Sequence, residues 1–245
     1  MLYCVKNKSF FYQQYDKINW EHQDKTKINA FVSNFIIKEY ILKKEGSSLS
    51  LFDIGFGIGF FFRLLYKGLG KHYKRIILEG CEPSSKNYNH YMKRPLQVRK
   101  AASLKVFNAT FLETRTSTKF DFITCIYVFP HFVSDELKKT VTKIHSMLLE
   151  NGRFILVVAN QKYMEEKLRV KKDLFIENNT VELYGSRYRE VLHYSDIPKI
   201  GKVIDYNREE AFYLDLFRRN GFRLAHKKDL NDSGFICTTF VFEKK

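Results

Sequence analysis

The chain has 245 residues, of which 44% are hydrophobic, 28% are charged and 16% are aromatic. This balance is ordinary for a globular protein, and it excludes a disordered or fibrous class. A chain of this length can bury a large core without the help of a metal or a disulfide. The cysteines form no C-x-x-C pair, which argues against a zinc cluster and favours reduced thiols in a cytoplasmic protein. We therefore expect no metal site.

The formal net charge of +15 keeps nucleic acid open as a partner, because a positive field attracts polyanions. A general bias toward lysine in the composition explains the same charge, and no basic run reaches the five or six like charges of a binding tail. The first residues lack the apolar stretch of a secretory signal, and no apolar run approaches the roughly 20 residues that span a bilayer. We expect a soluble, cytoplasmic protein without a membrane partner.

The first half of the chain alternates between helical and strand patterns. The predicted helices cover residues 27–44, Phe60–Lys67 (closed by Gly68 and Gly70) and Ser84–Met92, and the predicted strands cover Leu49–Ile54, Arg75–Cys81 and Leu104–Phe107. Strands that alternate with helices at this spacing indicate βαβ units and a parallel sheet covered on both faces.

The second half continues the alternation and then departs from it. Strands are predicted at Phe120–Tyr127 and Phe154–Ala159, a helix from Ser134 to about Leu149 that Asn151-Gly152 ends, a helix at Glu209–Arg219, and a final antiparallel pair at Phe222–His226 and Phe235–Phe242. Residues 161–207 break the rhythm with a charged helix at Gln161–Lys172 and a hairpin of Thr180–Tyr184 and Arg187–Tyr194 around Gly185-Ser186. Inserted segments of this kind often carry specificity.

The sharpest motif is Asp53-Ile54-Gly55-Phe56-Gly57-Ile58-Gly59, where a strand opens into a helix. Glycines let the backbone turn tightly and let a ligand touch the main chain, and the helix N-terminus adds outward N–H groups. The dinucleotide fingerprint G-x-G-x-x-G needs a glycine where Phe60 stands, and a Walker A loop needs a G-K-[ST] that is missing.

Asp-Ile-Gly-x-Gly-x-Gly after the first strand resembles the S-adenosylmethionine-binding motif of class I methyltransferases. The resemblance covers residues 27–245. It implies an α/β fold with a doubly wound, seven-stranded, mostly parallel sheet of order 3-2-1-4-5-7-6, an antiparallel last strand, and a lid insertion between strands 5 and 6. It also implies three parts: a cofactor-covering segment at 1–26, a core at 27–160 and 208–245, and the insertion at 161–207.

The resemblance also implies cofactor-binding residues. The glycine loop contributes Asp53, Gly55, Gly57 and Gly59, and Glu82 with Pro83 after the second strand resembles the ribose ligand, with Glu79 as a possible substitute. Thr110 and Phe111 follow the third strand in place of the family's usual aspartate, Cys125 ends the fourth strand, and Tyr15 and Trp20 belong to the covering segment. The implied cofactor is S-adenosylmethionine.

The acceptor is predicted by elimination. The proline motifs of DNA and exocyclic-amine methyltransferases and the Pro-Cys nucleophile of pyrimidine C5 enzymes are missing after the fourth strand, which favours a small-molecule acceptor methylated at N or O. Histidine titrates near neutral pH, so His131 and His193 are candidate bases. Candidate substrate residues are Tyr127, Tyr188, Arg189, Tyr194 and Tyr206. Two alternatives remain open: a tRNA or rRNA methyltransferase that uses the basic surface, and a cofactor-binding protein without catalysis.

Overall fold

The computed structural model describes residues 26–41, 48–69, 75–197, 201–232 and 234–245. Its helices are α1 (Thr26–Ile41), α2 (Phe60–Leu69), α3 (Ser85–Lys93), α4 (Ser134–Met147), α5 (Gln161–Val170) and α6 (Glu210–Arg219). Its strands are β1 (Ser48–Ile54), β2 (Arg75–Cys81), β3 (Ala102–Phe107), β4 (Phe120–Ile126), β5 (Leu148–Ala159), β6 (Phe175–Leu183), β7 (Ser186–Ile197), β8 (Gly201–Arg208), β9 (Phe222–Asp232) and β10 (Phe235–Lys244).

Seven strands form one sheet in the order β3-β2-β1-β4-β5-β10-β9. Strands β1 to β5 are parallel, and β10 runs antiparallel to both of its neighbours. Counted without the insertion, β9 and β10 are the sixth and seventh strands, so the order is the predicted 3-2-1-4-5-7-6. The predicted fold class is confirmed.

The sheet is covered on both faces, as its apolar strands require. One core cluster includes Phe52, Phe154, Phe217 and Phe242, and the rings of the last two stack with their centroids 4.0 Å apart. The other cluster packs α1 and α2 against β1 and β2 and includes Leu51. Neighbouring residues of β1 thus face opposite cores, which explains why the strand is apolar at nearly every position.

The predicted role of Gly68 as a helix stop is wrong. Gly68 lies inside α2, and a Cβ at this position would stand 2.3 Å from Cδ1 of Ile37 in α1. The glycine is therefore explained by the close approach of two helices rather than by a helix end.

Asn151 and Gly152 do not end a helix either. The helix α4 ends at Met147, and both residues lie inside β5, where Asn151 has a φ of +61° and the register with β4 shifts. This two-residue signal therefore marks a bulge in a strand, which a left-handed residue commonly accompanies.

Two strands of the second half were predicted too short or missed. The residues after Phe222 are exposed and largely charged because β9 is an edge strand, and this pattern hides the length of the strand in the sequence. β9 nevertheless pairs with β10 over nearly all of its residues. The strand β8 was not predicted at all. The hairpin turn was placed one residue too late: Leu183 pairs with Ser186, and Tyr184 and Gly185 between them have φ values of +53° and +81°.

The residues from α5 to β8, which we call the insertion, contain a second, three-stranded antiparallel sheet of order β6-β7-β8. Two buried polar contacts dock it on the rest of the fold. The hydroxyl of Tyr188 donates to Asp215 of α6 at 2.8 Å. Arg208 pairs with Glu190 at 2.6 Å and donates to the carbonyl of Phe132 at 2.7 Å.

None of the described helices is both long and apolar enough to pass through a membrane.

The buried pair of Glu190 and Arg208 predicts a large loss of stability when one partner is neutralised. Glu190→Gln leaves the buried guanidinium without a counter-charge, which we expect to lower the free energy of unfolding by about 3 kcal/mol. Glu165→Gln is the matched control, because it breaks an exposed pair with Arg189 whose cost is at most about 1 kcal/mol. Urea unfolding measures the free energy of unfolding of both variants. Equal losses would contradict the conclusion that the Glu190–Arg208 pair is buried and the Glu165–Arg189 pair is exposed.

Candidate cofactor and acceptor site

The glycine loop lies at the carboxyl end of β1, next to the ends of β2 and β4. Ile54 pairs with Cys81 on one side and with Cys125 on the other. The N–H groups of Gly55 and Phe56 donate to the carbonyl of Cys81 at 2.8 and 3.2 Å. The loop is therefore fixed to β2 as soon as it leaves β1.

All three glycines of the loop have positive φ: +72° at Gly55, +57° at Gly57 and +79° at Gly59. A Cβ on Gly55 would stand 2.4 Å from Cγ2 of Val128, and one on Gly59 would stand 2.3 Å from the ring of Tyr91. A Cβ on Gly57 would meet no atom of the described residues within 4 Å. Two glycines thus allow close packing, and beside the middle one the described residues leave room for another group.

Of the two phenylalanines next to the loop glycines, one is buried behind the loop and the other is partly exposed. Phe56 is buried behind the loop, where its ring meets Phe62 and Tyr91 at centroid distances of 5.9 and 5.2 Å. Phe60 begins α2 and is 38% exposed.

Glu82 follows β2 and faces the glycine loop. Its two carboxylate oxygens accept hydrogen bonds from the N–H groups of Gly57 and Ser84, both at 2.9 Å. The side-chain amide of Asn108 donates to the carbonyl of Glu82 at 2.9 Å and, more weakly, to that of Pro83 at 3.5 Å. The predicted ribose ligand is thus placed against the loop, held from β3 by an asparagine that the sequence did not single out as a ligand.

Glu79, the possible substitute for Glu82, points to a different part of the fold. It is buried and accepts a hydrogen bond from the hydroxyl of Thr118 at 2.7 Å. This contact ties β2 to the segment that leads into β4, so of the two glutamates it is Glu82 that lies at the glycine loop.

Asp53 is buried beneath the loop at the end of β1. Its Oδ1 accepts a hydrogen bond from the hydroxyl of Thr124 on β4 at 2.6 Å. Burial raises the pKa of Asp53 to about 7, and the charge of Glu82 also raises it, while the Thr124 hydrogen bond opposes the shift. Near neutral pH the carboxyl is therefore balanced between its neutral and its charged form.

The turn after β3 holds Thr110 and Phe111. The N–H and hydroxyl of Thr110 donate to Glu113 at 3.1 and 2.6 Å, which closes the turn. The ring of Phe111 is buried edge-on against Phe52, with centroids 5.6 Å apart. The Thr110 hydroxyl is therefore used within its own turn, and Phe111 belongs to the core.

Lys143 of α4, which the sequence did not single out, supports this turn. Its ammonium donates to the carbonyls of Phe111, Leu112 and Thr114 at 2.6, 3.2 and 2.5 Å. Burial lowers the pKa of Lys143. The sequence signal that could have identified Lys143 is its position among the apolar residues of the helix, between Thr140 and Met147.

Of three other predicted cofactor residues, one lies in the strand beside the loop and two lie outside the described chain. Cys125 is fully buried in the sheet between β1 and β5, and burial raises the pKa of its thiol. Tyr15 and Trp20, with the rest of the predicted covering segment up to residue 25, lie outside the described residues. Within the described part of the chain, no group of three or more acidic, histidine or cysteine side chains is arranged to hold a metal ion.

The two candidate bases meet at one carboxylate. Nδ1 of His131, in the short 3₁₀ turn after β4, lies 2.7 Å from Oδ1 of Asp205 on β8. His193 on β7 is the register partner of Asp205. His193 is 3% exposed, and burial lowers its pKa, whereas the nearby charge of Asp205 raises it. Asp205 was not predicted, because nothing in its local sequence sets it apart.

The five candidate substrate residues are dispersed. Tyr127 has a φ of +60° and packs edge-on against Phe235. Tyr188 is used in docking the insertion, Arg189 pairs with a glutamate of α5, and Tyr194 packs on a small apolar cluster of the insertion. The ring of Tyr206 lies 4.8 Å from the guanidinium of Arg208, which in turn donates to the carbonyl of Phe132 next to His131.

The raised pKa of Asp53 predicts a pH-dependent stability. Between the ordinary value of 3.8 and about 7 the native state holds a proton that the unfolded chain has lost. Stability from this group therefore falls as pH rises through that window and levels off above it. Asp53→Asn removes the titration, so its stability relative to wild type should increase from pH 5 to pH 8 in urea unfolding. A constant difference at all pH values would contradict the shift.

Comparisons with known proteins agree on one family. A family model described as a methyltransferase domain matches residues 20–227. No curated protein matches the chain.

Similar solved structures cover nearly the whole chain. An S-adenosylmethionine-dependent methyltransferase from Clostridium acetobutylicum is 16% identical, with a TM-score of 0.56 over 96% of this chain and 98% of that one. Magnesium protoporphyrin IX methyltransferase from Synechocystis, with bound S-adenosylhomocysteine, is 13% identical, with a TM-score of 0.61 over 97% and 95%. A glycopeptide N-methyltransferase complexed with S-adenosylmethionine is 14% identical, with a TM-score of 0.58 over 89% and 94%.

These comparisons confirm the resemblance drawn from the glycine loop, together with S-adenosylmethionine as the cofactor of the family. The chain belongs to the methyltransferase domain family and has the class I, Rossmann-like fold of S-adenosylmethionine-dependent enzymes.

Proposed function

We propose that this protein transfers a methyl group from S-adenosylmethionine to a nitrogen or oxygen of a small-molecule acceptor. The observation that carries the proposal is the buried carboxylate of Glu82, which accepts from the N–H of Gly57 at 2.9 Å. No described residue lies within 4 Å of the place that a side chain on Gly57 would take. A carboxylate suits a ribose diol, because its two oxygens can accept from both hydroxyls.

The residues at the loop fit the charge of this cofactor as well as its ribose. S-adenosylmethionine supplies an activated methyl group when bound, and its sulfonium and ammonium groups are positive. Asp53 and Glu82 place two carboxyl groups at the loop, and a bound cation favours the ionised form of Asp53. The protein's remaining task in such a transfer is to hold the acceptor atom in line and to exclude water.

The insertion supports a small acceptor. It contacts the segment directly after β4, since Arg208 reaches the carbonyl of Phe132 and Asp205 reaches His131. Val128 of the same segment packs against Gly55 of the glycine loop. The insertion therefore borders the place where an acceptor would meet the cofactor. Two of the similar structures are named for methylating magnesium protoporphyrin IX and a glycopeptide.

A cytoplasmic location belongs to the same proposal. It is supported by Cys81, Cys125 and Cys237, which are all buried and form no disulfide among the described residues.

Gly57→Val tests the cofactor site. The side chain would enter the open space above the loop, so we expect the affinity for S-adenosylhomocysteine in calorimetry to fall at least tenfold. The positive φ adds a strain of about 1–2 kcal/mol to the folded state. Gly185→Val is the matched control, because Gly185 also has a positive φ and no described atom within 4 Å of an added Cβ, but it lies at the hairpin turn of the insertion. Equal affinities in the two variants would contradict the site.

The acceptor class is tested with radiolabelled S-adenosylmethionine. We expect label to move to a member of a metabolite panel that includes porphyrins, peptides, phenols and amines. Transfer to total tRNA or rRNA, with RNA affinity that falls steeply as salt rises, would instead support the RNA methyltransferase alternative. Cofactor binding without transfer to any of these acceptors would support a binding protein without catalysis.

A further inference from the structure

We propose that Asp205 is a positioning residue that orients His131 as the base for the methyl acceptor, and that the acceptor atom is accordingly a hydroxyl or an amine that must lose a proton. The proposal rests on the proposed methyl transfer and deepens it. The contact that carries it joins Nδ1 of His131 to Oδ1 of Asp205 at 2.7 Å across 74 positions of sequence.

Exposure separates the two histidines that meet at this carboxylate. The side chains of His131 and Asp205 are 16% and 14% exposed, whereas His193 is 3% exposed. The side chains of the first pair are therefore partly exposed, while His193 lies in the protein interior. Burial lowers the pKa of His193 and keeps it neutral at neutral pH, so it adds no charge behind Asp205.

The position of His131 fits a base that acts beside the cofactor. The backbone N–H of His131 donates to the carbonyl of Val128 at 3.0 Å, and Val128 is the residue that packs on Gly55. The backbone of His131 thus lies one 3₁₀ turn from the residue that contacts the glycine loop.

Arg208 fixes the same turn from the insertion. It donates to the carbonyls of Phe129 and Phe132, on either side of His131. Its positive charge is compensated by Glu190 at 2.6 Å. The strand β8 therefore supplies both the arginine that hydrogen-bonds the turn and the carboxylate that contacts the imidazole of His131.

The chemistry follows from which ring nitrogen the carboxylate uses. A carboxylate that accepts a hydrogen bond from Nδ1 fixes the proton of the neutral ring on that nitrogen. The basic lone pair is then on Nε2. In the transfer, the acceptor oxygen or nitrogen bonds to the methyl carbon, and the carbon–sulfur bond breaks with its electron pair on sulfur. The acceptor's proton goes to Nε2, and Asp205 stabilises the resulting imidazolium.

The tautomer is measured directly by ¹⁵N-detected NMR of the histidine rings in the full chain, without any cofactor. His131→Gln identifies the signal of His131. We expect a protonated Nδ1 and an unprotonated Nε2 in the wild type, and a shift toward protonated Nε2 in Asp205→Ala. Asp205→Glu should restore the wild-type tautomer, and Asp173→Asn, which removes an exposed carboxylate of the same insertion, should leave it unchanged.

Kinetics supply the second measurement, once an acceptor has been found by the panel. We expect Asp205→Ala to lower kcat at least tenfold with KM changed by less than about threefold, and Asp205→Glu to recover part of kcat. Melting temperatures of all variants separate a loss of fold from a loss of function.

The outcomes distinguish this proposal from the proposed function. A wild-type His131 with protonated Nε2, or a tautomer that Asp205→Ala leaves unchanged, overturns the positioning role even if methyl transfer is found. An unchanged kcat in Asp205→Ala overturns the role of the pair in the reaction. Failure of cofactor binding or of transfer to every acceptor overturns the proposed function, whatever the tautomer shows.

Discussion

The hydrogen bond between the carboxylate of Glu82 and the N–H of Gly57 is the contact on which the rest of the site depends. It joins the ends of β1 and β2, and the second oxygen of Glu82 holds Ser84, the N-cap of α3. A carboxylate oxygen can accept more than one hydrogen bond, so a diol can be added while the loop stays in place. The group that shapes the loop is thus the same group that we propose as the ribose ligand.

The sheet and the loop could be predicted because their signals are local. A strand such as β1, buried on both faces, is a short apolar run, and the glycines that follow allow a backbone that other residues avoid. The failures have the same explanation. Gly68 is a glycine required by a neighbouring helix, and Asn151 turns the chain inside a strand, so each carries a local signal whose cause lies elsewhere in the fold.

The site could be predicted only as far as single segments reach. The sequence favoured Glu82 but left Glu79 open as a substitute, and the partners of each, Gly57 and Thr118, separate them. Lys143 and Asp205 were missed because their partners are distant along the chain and their own neighbours form no motif. Pairs of this kind become visible only when the fold brings α4 to the turn after β3 and β8 to the turn after β4.

Buried polar groups help to dock the insertion, although replacing a buried ion pair with well-packed apolar residues is often neutral or stabilising. A buried ion pair gains little over well-packed hydrophobic residues, but its geometry is directional. The guanidinium of Arg208 meets Glu190 and the carbonyl of Phe132 in one arrangement, which fixes β8 against the turn that carries His131. Since Asp205 lies three residues earlier on the same strand, any slip of β8 would separate it from the imidazole. The register of β8 therefore also sets the contact between Asp205 and His131.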